Sequence, residues 1–178
     1  IDTNGGSAIW NEGDLVINGG TFTTNAEAGV GSYGSALNTQ KGGTAVVNGG
    51  NFVANSQLTY AICNYGETVI NNATVVGKHG AVAAAEGAEI KTVINGGSFS
   101  LNENPAVSDH CVYYVSEIKG GTFTLGANTD SGAQVFCESN IAAGYKAVED
   151  NGVYTVGLAT VATTAALQAA INEEQSPI

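Results

Sequence analysis

The chain contains no arginine, and its five cationic residues are all lysine (Lys41, Lys78, Lys91, Lys119 and Lys146). Sixteen carboxylates outweigh them, for a net charge of −11. A surface charged this way repels phosphate backbones and anionic lipid, so neither nucleic acid nor an anionic membrane is an expected partner. Proline occurs only twice, so few positions interrupt a backbone ladder. No apolar run approaches the roughly 20 residues that a membrane-spanning helix needs, and no membrane insertion is expected. Cysteine is also scarce. Cys63, Cys111 and Cys137 are too few for a small disulfide scaffold and have no Cys-x-x-Cys metal spacing. They are expected to be free thiols packed as small apolar residues, although stacked neighbouring coils would also permit a Cys111–Cys137 bond. No starting Met or signal peptide precedes Ile1-Asp2, and the expectation is an excised part of a longer protein.

What is present points to a folded domain. The 178 residues can bury a sizeable core, and 43% of them are apolar. Only 12% are charged, so the surface is built largely from Asn, Thr, Ser and Gly. The 25 glycines mean that the chain turns often.

Those turns recur. Five segments share one phrase: Leu15-Val-Ile-Asn-Gly-Gly-Thr-Phe22, Ala45-Val-Val-Asn-Gly-Gly-Asn-Phe52, Thr68-Val-Ile-Asn-Asn-Ala-Thr-Val75, Thr92-Val-Ile-Asn-Gly-Gly-Ser-Phe99 and Ser116-Glu-Ile-Lys-Gly-Gly-Thr-Phe123. Their last residues are spaced by 30, 23, 24 and 24 positions. A weaker phrase precedes each of the first four, as in Gly34-Ser-Ala-Leu and Tyr60-Ala-Ile-Cys. Each period therefore holds three short strand-like runs separated by Gly or Asn. Three strands and three turns make one coil of a solenoid, with equivalent positions stacked about 4.8 Å apart. Helical repeats would need longer apolar stretches at 3.6-residue periodicity, which are absent.

The phrase then resolves into columns. Ile17, Val47, Ile70, Ile94 and Ile118 form one inward stack, and Phe22, Phe52, Val75, Phe99 and Phe123 a second. The Gly-Gly between them makes a corner that would strain a residue carrying Cβ. Asn18, Asn48, Asn71 and Asn95 share that corner, where stacked amides can hydrogen-bond to one another as a structural ladder.

On these residues the chain resembles the right-handed parallel β-helices of the pectate-lyase-like superfold, and among them Gly-rich, adhesin-like bacterial surface proteins and some phage fibres. The resemblance covers roughly residues 6–156. It implies an all-β, single-stranded right-handed parallel β-helix of about five coils over residues 1–130. Residues 131–157 form a capping strand and hairpin, because Asn151-Gly152 between alternating strands is a two-residue hairpin signal. Residues 158–178 form a linker and a short α-helix over 163–174, capped by Thr163 or Thr164. That helix resembles the cap that opens many β-helix domains, which implies a following domain. It can equally pack back on this one. The superfold hosts lyases, hydrolases, tailspikes and passive stalks, so it does not select an activity.

Catalysis is not expected. The carboxylates stand singly at Glu12, Asp14, Glu67, Glu86, Glu89 and Glu117, and Glu149-Asp150 falls at a hairpin tip. Uronate-processing β-helix enzymes generally need clustered Asp, often with Arg or Lys. His110 and Cys111 are adjacent, which directs them to opposite faces of a strand. No calcium-loop motif occurs, and neither metal nor cofactor is expected.

Three outward surfaces are candidates for recognition. Val16, Val46, Val69 and Val93, followed by Glu117, either form an exposed apolar stripe or are buried by a bend in the strand. The residues flanking the Phe column, Thr21, Thr23, Thr122 and Thr124 at its ends, resemble the threonine ladders of ice-binding proteins but depart from them in the middle coils. Long connections at residues 23–33 and 100–109 share one corner, with Tyr33, Tyr60, Tyr65, Tyr113 and Tyr114 expected near it, able to stack on sugar or to pack at the rim. The expectation is a non-catalytic extracellular stalk or adhesin segment, at the cell surface or secreted. Its partners would be a host or microbial glycan, a surface protein, or neighbouring domains of the same chain. Alternatives are a phage fibre segment, a carbohydrate-active enzyme with a degenerate site, and an ice-binding β-helix.

Overall fold

A computed structural model describes residues 1–25, 34–56, 59–102, 110–127, 129 and 132–159. The chain is an all-β parallel solenoid whose three faces are three sheets. One face stacks Thr21–Thr24, Asn51–Ala54, Thr74–Gly77, Ser98–Leu101 and Gly121–Leu125 in parallel, with Asp2–Thr3 on its outer edge. We call it the phenylalanine sheet. The isoleucine sheet stacks Asp14–Ile17, Thr44–Val47, Glu67–Ile70, Lys91–Ile94 and Glu117–Ile118. The third sheet stacks Ile9–Asn11, Leu37–Thr39, Tyr60–Asn64, Gly80–Ala84 and Val112–Tyr113. Five rungs are stacked, so the chain makes about four turns between the first and the last of them.

The register follows the repeat. Phe22, Phe52, Val75, Phe99 and Phe123 are aligned strand to strand, as are Ile17, Val47, Ile70, Ile94 and Ile118. Every member of the second column is buried, and so is every member of the first except Phe22 on the opening rung, which is half-buried. Parallel in-register stacking puts like against like, so aromatic rings overlap: Phe22 lies 5.1 Å from Phe52 and Phe99 lies 5.0 Å from Phe123, both stacked. Val75 separates the two pairs. The third sheet closes the core with Leu37, Ile62, Val82 and Val112, all fully buried.

The Asn-Gly-Gly corner forms as its chemistry requires. Asn48 donates from Nδ2 to Asn18 Oδ1 at 2.9 Å, Asn71 to Asn48 at 2.8 Å and Asn95 to Asn71 at 2.8 Å. Gly20, Gly50, Gly97 and Gly121 all carry positive φ, between 113° and 121°. At the third rung Ala73 replaces glycine and keeps a negative φ, so that corner is turned differently. A second, shorter ladder stands at the corner after the phenylalanine sheet, where Asn55 donates to Asn25 at 2.6 Å and Asn25 to Asp2 at 2.7 Å.

Asn71→Ala removes one hydrogen bond to each neighbouring rung. It is expected to lower the unfolding free energy by about 1 kcal/mol, read from urea denaturation. A change below about 0.3 kcal/mol would show that the amides merely follow the backbone.

The far end is closed by an antiparallel hairpin. Val153–Leu158 pairs with Gly121–Leu125 on one side and with Tyr145–Asp150 on the other. Asn151 and Gly152 sit at its tip with φ of 51° and 80°, the left-handed pair that a two-residue hairpin requires. Phe136 stands edge-on to both Phe123 (5.0 Å) and Tyr154 (6.1 Å), sealing the aromatic column beneath the hairpin. The helix expected over 163–174 lies outside the described residues.

Candidate functional site

Among the surfaces singled out from the sequence, the valine column is graded. Val16 is 62% exposed, Val46 and Val69 are half-buried and Val93 is only 7% exposed. It is neither a uniform apolar stripe nor a fully buried column. Glu117 continues it in register beside Val93, and Lys119 occupies the next position of the asparagine column. These two departures from the repeat form an ion pair with each other, at 2.7 Å. Lys119 holds the Glu117 carboxyl below its ordinary value, and Glu117 raises the ammonium of Lys119.

On the phenylalanine sheet, Thr21, Thr23, Thr122 and Thr124 alternate with the buried column. Their register partners include Asn51, Val53 and Ser100, so the face is a mixed polar strand surface. Tyr33 and most of both long connections lie outside the described residues.

The tyrosines divide between two corners. Tyr60, at the start of its strand, is buried with its ring over Gly80 and edge-on to His79 at 4.9 Å. Tyr65 follows the same strand, and five residues of extended chain span about 16 Å. Tyr65 and Tyr114 therefore occupy the opposite corner, between the third and isoleucine sheets, away from the long connections. Both are exposed.

That corner holds a groove. Its turns vary from rung to rung: residues 40–43 on the second, only 65–66 on the third, and 85–90 on the fourth. A short turn between two longer ones leaves a trough of about 430 Å³ with residues 65–66 as its floor. The walls stand two rungs apart, roughly 10 Å. Lys41, Tyr65, Glu67, Glu86, Glu89 and Ile90 line it. Lys41 Nζ and Glu89 Oε2 approach to 3.9 Å across the rims, both largely in water. Such a pair is weakly held and opens readily to another hydrogen-bonding partner.

The floor is held from below. Asn64 is buried, and its Nδ2 lies 3.0 Å from the Gly66 and Lys91 carbonyl oxygens and 2.8 Å from the Thr92 hydroxyl. Its Oδ1 accepts the Gly66 N–H at 3.0 Å. Gly66 itself passes so close to the second rung that a Cβ would stand 2.3 Å from the Gly43 carbonyl oxygen. Tyr114 borders this corner with φ of 53°, an uncommon conformation for a residue with a side chain. Its ring centroid is 4.0 Å from that of Tyr113. Interactions first with Tyr113 and then with Glu86 hold its hydroxyl above the ordinary tyrosine range, which ties it to a carboxylate of the groove.

An exposed aromatic face among carboxylates and a lysine on a rigid floor suits a ligand with both apolar and hydroxyl faces. From the sequence Tyr65 stands out as a candidate while Lys41, Glu67, Glu86 and Glu89 read as scattered single charges, because the trough arises from a difference in turn length between adjacent rungs. That difference was visible in the spacing between strand runs. Trp10, also passed over, is exposed on the first rung with its indole N–H donated to Glu12 at 2.8 Å. Among the described residues no three His, Cys, Asp or Glu side chains are grouped to hold a metal ion, and no helix is long and apolar enough to cross a membrane. No protein-family model, curated protein or solved structure matches this chain.

Proposed function

We propose that this chain is a non-catalytic extracellular module, a stalk or adhesin segment of a bacterial cell-surface protein, of the pectate-lyase-like β-helix kind. Its groove at Tyr65 would engage a glycan. The observation that carries the reading is the trough itself, in which exposed Tyr65 stands among Lys41, Glu67, Glu86 and Glu89 over a floor fixed by Asn64. Tyrosine offers a flat apolar face to the C–H side of a sugar ring, and carboxylates and lysine take its hydroxyls. Three carboxylates against one lysine in the lining favour a neutral sugar or an amino sugar over a uronate. A solenoid suits the purpose because each rung rests on its neighbours, so a surface turn can change without disturbing the core.

The test is a glycan array on the intact chain, followed by titration of the best neutral or amino-sugar oligosaccharide. Tyr65→Ala is expected to weaken binding about tenfold, equivalent to about 1.4 kcal/mol, with an unchanged thermal midpoint. Unchanged affinity in Tyr65→Ala removes the groove from the proposal. Release of product from any polysaccharide overturns its non-catalytic half, and trimerisation in solution would favour a fibre segment instead.

A further inference from the structure

Away from the groove, the fold brings together a thiol and an imidazole that are 27 residues apart in sequence. His110 and Gln134 form an isolated parallel bridge, and the Cys111 and Val112 amides donate to the Gln134 and Val135 carbonyls at 2.8 and 2.9 Å. Residues 134–135 thus run alongside the last strand of the third sheet. Phe136 is turned inward against Phe123 and Tyr154. Its neighbour Cys137 is only half-buried, and its Sγ lies 3.5 Å from His110 Nε2. The His110 ring rests against Tyr113 at 5.1 Å.

We infer that Cys137 and His110 form a reactive thiol–imidazole pair, a site for reversible attachment of a small thiol by exchange with a low-molecular-weight disulfide. The step is balanced within itself. His110 Nε2 takes the proton of Cys137 Sγ, and the thiolate attacks one sulfur of the disulfide. The disulfide bond breaks as the new Sγ–S bond forms, and the leaving thiolate takes the proton from the imidazolium. Cys137 is oxidised and half of the small disulfide is reduced to its thiol.

The other two thiols lack these conditions. Cys111 is fully buried, and burial pushes it up to about 12. Cys63, with its sulfur 3.8 Å from the Thr59 hydroxyl and the Tyr60 carbonyl, is also raised by burial. A thiol kept protonated is a poor nucleophile.

The intact chain is to be incubated with glutathione disulfide at pH 7.4 and the adducts mapped by peptide mass spectrometry. The expected result is a single adduct on Cys137, reversed by dithiothreitol and formed about tenfold faster than on an unstructured cysteine peptide. His110→Ala is expected to remove that advantage, and added imidazole to restore part of it. Prior modification of Cys63, an equal rate in His110→Ala, or a loss that imidazole does not rescue overturns the inference. Should His110→Ala fail to fold, the wild-type rate is compared before and after urea unfolding. Slower reaction of folded Cys137 than of unfolded also overturns it.

Discussion

Phe99→Ala is expected to lower the unfolding free energy by about 3–5 kcal/mol, at the severe end for a single core truncation. Phe99 is fully buried and stacked on Phe123 with an angle of 12° between the rings. Its other register partner is Val75, already the smallest member of the column. The cavity would therefore open between a valine and a phenylalanine, with little on the valine side to fill it. It cannot close by settling, because the hydrogen-bonded ladder holds adjacent rungs about 4.8 Å apart. Phe22→Ala is the matched control, since that ring is half-buried on the opening rung and its loss is expected to cost about 1–2 kcal/mol. Urea denaturation followed by far-ultraviolet circular dichroism reads both. A Phe99→Ala loss below about 1.5 kcal/mol would mean that the rungs tilt to fill the gap, contrary to a rigid solenoid.

Gly97→Ala is expected to cost about 2–5 kcal/mol, even though it adds a single methyl group. Two effects combine. Gly97 has φ of 120°, where a side chain strains the backbone, and its added Cβ would stand 2.5 Å from the Ala73 carbonyl oxygen and 2.8 Å from the Ala73 nitrogen. Both obstacles are backbone atoms, so relief requires moving a rung. Gly20→Ala separates the two effects, because Gly20 has φ of 113° but its Cβ would approach only the Phe22 ring, at 3.2 Å. That variant is expected to lose about 1–3 kcal/mol from strain alone. Equal thermal and urea midpoints for the two variants would show that contact with Ala73 contributes nothing. The close approach follows from the irregular third rung: Ala73 takes an ordinary φ where its equivalents are left-handed.

This corner illustrates what could be read in advance. Ile-Asn-Gly-Gly-Thr-Phe predicts two inward columns, an amide ladder and a corner that strains a residue carrying Cβ. The columns and the ladder form between the expected residues, and every rung that keeps the second glycine turns there with positive φ. Parallel in-register stacking is the reason, since one period of sequence becomes one step along the axis and equivalent residues become neighbours. The hairpin at Asn151-Gly152 was legible for a similarly local reason. By contrast, Val16 and Val93 occupy one column and carry the same side chain, yet one is exposed and the other buried. Position along the axis, which the repeat does not encode, separates them.

The candidate sites divide in the same way. Tyr65 could be identified as an outward aromatic, but its corner depended on where the strand at Tyr60–Asn64 ends, about 16 Å from where it begins. Apart from Glu67 on its own rung, its partners in the groove come from the second and fourth rungs, and only stacking turns of unequal length makes a trough of them. Cys137 and His110 lay still further from sight. Residues 133–137 carry no repeat phrase, and spacing alone allowed Cys137 to stack on Cys111, whereas both thiols are free and Cys137 meets His110. The sequence by itself determined the solenoid, its core columns and its asparagine ladder, because these depend on periodicity alone. Only the tertiary structure decided the groove and the thiol–imidazole pair, because each depends on how non-equivalent turns and the last, irregular segment settle against finished rungs.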